Sequence, residues 1–131
     1  MKKKISKKIQ HKLLKLYEPI AYRLLSEEAR KAYCNGCGSG RIAFLTPDSI
    51  LGVSVKDSCN IHDFMYEFAK PYVESKEEAD RIFLNNMTRQ ILNKNHGFFK
   101  FLTRKRLKIA KLYYDAVKNY GGASFWEDKN I

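Results

Sequence analysis

The stretch CNIHDFMYEF, residues 59–68, decides how the chain reads. Cys59, His62 and Tyr66 are spaced three and four apart, so on a helix they share a face, with Asp63 beside His62. Ile61, Phe64, Met65 and Phe68 surround them with apolar side chains. A base, an acid and a phenol in that setting require partners, because a polar group buried without one is costly. The helix reads from about Ser58 to Ala69 and stops before Pro71, since the residue preceding a proline is driven out of the helical region.

The partner lies downstream, in SKEEADRIFLNNMTRQILNK, residues 75–94. This stretch reads as a helix with Ser75 as its N-cap and acidic residues in the first turn. Asp80 shares a stripe with Phe83, Leu84, Met87 and Ile91, which turns it toward the core. If the two helices form an antiparallel hairpin turning near residues 70–74, His62 and Asp80 lie opposite each other. An imidazole held by a carboxylate is the orienting half of a general-base dyad. Tyr66, one turn from His62, is placed to give its hydroxyl to the same carboxylate.

Outward from this pair, the chain reads as one mostly α domain over its 131 residues. With 44% hydrophobic and 30% charged residues it has the composition of a globular protein and not of a disordered one. The basic segment 1–32 has an apolar stripe of Ile9, Leu13, Leu16, Ile20 and Leu24, and Pro19 either kinks that helix or begins a second one. Lysines keep interrupting the apolar positions of its start and no stretch approaches the roughly 20 apolar residues of a span, so neither a signal peptide nor a membrane span is expected, and a cytoplasmic home is the default. Residues 33–57 read as a glycine-rich loop with a short extended piece, 58–95 as the helix pair, and 98–120 as a closing basic helix. Leu102, Ile109, Leu112, Tyr113, Ala116 and Val117 form the stripe of that last helix, with Tyr113 and Tyr114 expected to pack and Trp126 to cap the core. His11 and His96 are expected at the surface.

Two chemistries remain open for the cysteines. Cys34 and Cys37 form C-x-x-C, and Cys59 and His62 form C-x-x-H, the spacing of a structural zinc site. Combined with 25 Lys+Arg against 14 Asp+Glu, a net charge of +11, this describes a zinc-stabilised nucleic-acid binder. That reading leaves Asp63, Tyr66 and Asp80 without a role.

The other reading rests on a resemblance. CNIHDFMY resembles the C-x-x-H-D-x-x-Y signature of phospholipase A2, GCGSG (36–40) looks like that family's calcium loop, and ADRIF (79–83) looks like the helix supplying its second aspartate. AKLYYDAVKNYG (110–121) is similar to the closing helix of prokaryotic members. The resemblance implies a mostly α, phospholipase A2-like fold and Ca²⁺-dependent hydrolysis of a phospholipid acyl ester. In it His62 and Asp80 are catalytic and Tyr66 supports them. Asp63 and the backbone carbonyls of Gly36, Gly38 and Gly40 hold Ca²⁺, a hard cation that prefers oxygen. The Gly38 N–H joins the ion in stabilising the oxyanion. It further implies a disulfide between Cys37 and Cys59. The implied partner is an anionic phospholipid surface, not nucleic acid, met by basic faces at 2–15 and 100–111. The same fold without turnover, as a membrane- or protein-binding module, is the alternative within this reading.

Overall fold

A computed structural model describes residues 15–33, 47–94, 100–126 and 129. Expectations for His11, Cys34, Gly36, Cys37, Gly38, Gly40 and His96 lie outside the described residues. In chain order come α1 (Ile20–Arg23), α2 (Glu27–Tyr33), strands β1 (Ser49–Ile50) and β2 (Val53–Ser54), α3 (Lys56–Phe68), α4 (Val73–Asn93), a 3-10 turn (Lys100–Leu102), α5 (Thr103–Tyr120) and α6 (Gly122–Trp126). The architecture is mostly helical, as expected.

The extended piece in the loop is a two-stranded antiparallel hairpin pairing Ser49 with Ser54 and Ile50 with Val53. Its turn residues, Leu51 and Gly52, have φ of 45° and 83°. Positive φ at both central positions follows the right-handed twist of the strands, at a steric cost for a leucine. Arg106 of α5 holds that turn, its Nε and Nη2 donating to the Leu51 carbonyl at 3.1 and 2.7 Å.

Helix α3 begins at Lys56, two residues earlier than the sequence suggests. Val55 is fully buried, donates its N–H to the Asp48 carbonyl at 2.8 Å and accepts the Cys59 N–H, so the hairpin exit runs straight into the helix. Helix α4 also begins early, at Val73, and Ser75 is therefore inside the first turn and not the N-cap. Pro71 and an extended Tyr72 (φ −122°, ψ 145°) set the entry angle instead.

α3 and α4 run antiparallel: Ser58 bonds Gln90, His62 stacks on Phe83, and Tyr66 packs with Ala79, in opposite order along the two helices. The main core joins the hairpin to three helices through Ile50, Val53, Val55, Cys59, Phe83, Met87, Ile91, Ala110, Tyr113 and Val117. Burying each large side chain of this set is worth about 1.5–3 kcal/mol. The other side of α3 packs Ile61 and Phe64 on Tyr22, whose ring meets Phe64 edge-on at 5.4 Å.

Three further expectations need correction. Residues 15–19 are not helical, although Leu16 fits the apolar stripe of the first segment. Asn86 takes the Tyr17 backbone as a strand neighbour would, accepting its N–H at 2.7 Å and donating to its carbonyl at 2.8 Å, and Pro19 then precedes α1. The buried stripe of α5 is Arg106, Ala110, Tyr113 and Val117, which leaves Leu112 exposed. The core is capped by Phe125, fully buried, with Trp126 edge-on against it at 4.9 Å and more exposed. Tyr113 packs in the main core and gives its hydroxyl to the Pro47 carbonyl at 2.8 Å.

Gly121 ends α5 where no side chain fits. A Cβ there would stand 2.5 Å from the Val117 carbonyl oxygen and 2.9 Å from the Tyr66 hydroxyl. Gly121→Ala is therefore expected to cost about 1–3 kcal/mol in chemical denaturation, the usual range for overpacking. A loss no larger than that of Gly122→Ala, where the space is open, would contradict this close approach.

Candidate functional site

The hairpin of α3 and α4 brings His62 and Asp80 together. His62 Nε2 lies 2.7 Å from Asp80 Oδ1, with the two side chains 6% and 2% exposed. Tyr66 donates its hydroxyl to the same Oδ1. The His62 ring is fixed between Phe83, stacked at 4.5 Å, and Tyr66, tilted at 4.1 Å. Nδ1 makes no hydrogen bond among the described residues.

Burial pushes the His62 pKa down, and the hydrogen bond and charge of Asp80 only partly oppose it. Burial pushes Asp80 up, but hydrogen bonds from His62, Lys76 and Tyr66 together outweigh it, and its carboxyl sits below the usual carboxylate range. Tyr66 is pushed well above an ordinary tyrosine, by burial first and then by its bond to Asp80. At neutral pH the arrangement is thus a neutral imidazole, an ionised carboxylate and a protonated phenol. With Asp80 ionised, the imidazole proton resides on Nε2 and the lone pair on Nδ1. That is the protonation state a general base requires.

One member of this cluster was not foreseen from the sequence. Lys76 Nζ donates to Asp80 Oδ2 at 2.8 Å, and the lysine side chain is only 12% exposed. The i,i+4 spacing of Lys76 and Asp80 was a usable signal. With the helix starting at Ser75, Lys76 reads as a first-turn surface residue, which hides the pair.

Toward a metal ion, the described residues supply one hard ligand, the half-buried Asp63 carboxylate beside His62. No group of three or more His, Cys, Asp or Glu side chains able to hold a metal occurs among them. A carboxylate is a hard oxygen ligand of the kind Ca²⁺ prefers. Cys59 is disulfide-bonded, and its expected partner, Cys37, lies outside the described residues. A disulfide sulfur is not a thiolate, so the zinc set of Cys34, Cys37, Cys59 and His62 loses a ligand.

Two cavities of about 720 and 550 Å³ lie elsewhere, one beside Tyr22 and Arg30, the other beside Phe64 and Phe68. Neither is lined by His62 or Asp80. No helix among the described residues is long and apolar enough to cross a membrane. No family model, curated protein or solved structure matches the chain.

Proposed function

We propose that this chain is a phospholipase A2-like hydrolase that cleaves a phospholipid acyl ester with the help of Ca²⁺. The observation that carries the proposal is the buried 2.7 Å pairing of His62 Nε2 with Asp80 Oδ1 across two antiparallel helices, with Tyr66 on the same oxygen. The H-D-x-x-Y order of the helix and the glycine-rich GCGSG sequence support the same reading.

In this mechanism His62 takes a proton at Nδ1 from a water whose oxygen attacks the ester carbonyl carbon. Asp80 holds the Nε2 proton and stabilises the imidazolium that results. The ester C–O bond then breaks, and His62 returns the proton to the departing oxygen, giving fatty acid and lysophospholipid. Asp63, with the backbone of Gly36, Gly38 and Gly40, would hold Ca²⁺, whose charge when bound favours the developing oxyanion. Tyr66 does no bond-making; its hydroxyl fills an acceptor site of Asp80 that would otherwise be unsatisfied. The net charge of +11 suits an anionic lipid surface, and substrate is therefore best presented in anionic vesicles.

The test is release of fatty acid from such vesicles with and without a calcium chelator, beside a calcium titration. Wild type is expected to be active and chelator-sensitive, and Asp63→Asn to lose calcium binding and turnover together. Absence of chelator-sensitive release from wild type would end the enzyme reading and leave a lipid- or protein-binding module.

A further inference from the structure

We infer that Lys76 is a positioning residue for the base, and that it ties the His62–Asp80 pair to the C-terminal end of α5. This inference rests on the hydrolase reading of the site. The Lys76 ammonium has three hydrogens and three acceptors: Asp80 Oδ2 at 2.8 Å, the Val117 carbonyl at 3.0 Å and the Lys118 carbonyl at 3.3 Å. Both carbonyls lie in the last turn of α5; Val117 also accepts the Gly121 N–H at 2.9 Å, so the ammonium takes a second acceptor site there. The partial negative charge of a helix C-terminus favours a cation at that place. The ammonium thus spans two anionic groups, one on its own helix and one on α5.

The division of labour on Asp80 follows from which oxygen each partner uses. Oδ1 accepts from both His62 and Tyr66, whereas Oδ2 is held by Lys76. With Oδ2 held, the carboxylate has no freedom to rotate about its bond to Cβ, and Oδ1 stays aimed at the imidazole. Lys76 also neutralises a carboxylate that is 2% exposed and that burial alone would drive toward protonation. Gly121 completes the joint, since its bare backbone lets the end of α5 reach the Tyr66 hydroxyl. An ordinary surface i,i+4 ion pair has none of these features; it is exposed, screened and worth little. Lys111–Asp115 in the same protein is of that kind, with side chains 58% and 41% exposed.

The experiment compares wild type with Lys76→Met and Lys76→Arg. One readout is independent of turnover: the downfield proton resonance of the His62 ring N–H held by Asp80, assigned by its loss in His62→Gln. It is expected to shift or disappear in Lys76→Met and to persist in Lys76→Arg, which keeps a cation and donors. The second readout is hydrolysis, where Lys76→Met is expected to lower kcat by about 10- to 100-fold with KM little changed, as for a residue that orients another. A resonance and a kcat both unmoved in Lys76→Met overturn the inference. If wild type shows the resonance but no hydrolysis, the enzyme reading fails separately, and the resonance of Lys76→Met still decides whether the clamp exists. Should Lys76→Met not fold, the double variant Lys76→Met/Asp80→Asn decides. Recovery of its denaturation midpoint to that of Asp80→Asn supports the charge clamp. Failure to recover assigns Lys76 to capping α5 alone and overturns it.

Discussion

Replacing His62 with glutamine is expected to lower ester hydrolysis by about 10²- to 10⁴-fold, the range for loss of a general base. Glutamine preserves much of the side-chain volume and a donor for Asp80 Oδ1, so the packing against Phe83 and Tyr66 is largely kept. What it lacks is a group able to accept a proton from water near neutral pH. Asp80→Asn should cost less than this, because the imidazole remains, though it loses the carboxylate that fixes its tautomer and stabilises its cation. Tyr66→Phe should cost least, deleting one hydrogen bond worth roughly 1 kcal/mol. The ranking is checked by kcat with calcium in excess. Because burial lowers the His62 pKa, the acid limb of the wild-type profile should fall below the ordinary 6.5, keeping the base neutral further into acid. Equal activity of wild type and His62→Gln would remove the imidazole from the mechanism.

The helix pair and its dyad were legible because both depend on periodicity. A three-and-four spacing puts Cys59, His62 and Tyr66 on one face, and the stripe from Asp80 to Ile91 turns the carboxylate inward. Counting from the turn then sets His62 against Asp80. Residues whose partners are backbone groups left no comparable trace. Asn86 clamps the peptide of Tyr17, and Arg106 grips the carbonyl of Leu51, 55 residues away in sequence. Each reads locally as one more polar residue on a helix, and nothing in the spacing of side chains reports a main-chain acceptor brought in by the fold. Element starts failed for a related reason. Val55 and Tyr72 lead into their helices with no side-chain cap, so the capping signal at Ser75 pointed to the wrong residue. On α5 the four-three-four run of Arg106, Ala110, Tyr113 and Val117 was hidden because its first member is charged and its second is small.

Asp80→Ala is expected to destabilise the fold by about 3–5 kcal/mol near neutral pH, the range for removing one partner of a buried ion pair. The carboxylate takes three donors, from His62, Tyr66 and Lys76, and alanine removes the acceptor of all three at a buried position. The loss is a large share of the roughly 5–15 kcal/mol typical of a whole domain. It should depend on pH in a direction set by the depressed Asp80 pKa. A carboxyl held below its ordinary 3.8 contributes its stability fully above that value, and the contribution disappears as pH falls through the folded-state pKa. The part of the gap that comes from Asp80 itself should therefore be full near neutrality and shrink in acid below 3.8. His62 adds a separate slope: with its pKa below 6.5 in the fold, the unfolded chain takes up that proton first, and stability falls as pH drops from 6.5 toward the folded value. In Asp80→Ala the imidazole loses the two influences that raise its pKa, so this slope should extend further into acid than in wild type. Urea denaturation of both proteins at a series of pH values separates the effects. Compared in a His62→Gln background, which removes the imidazole slope, a gap that stays constant from about pH 7 to about pH 3 would mean that Asp80 is not an ionised partner in the folded protein, and the dyad would lose its anchor.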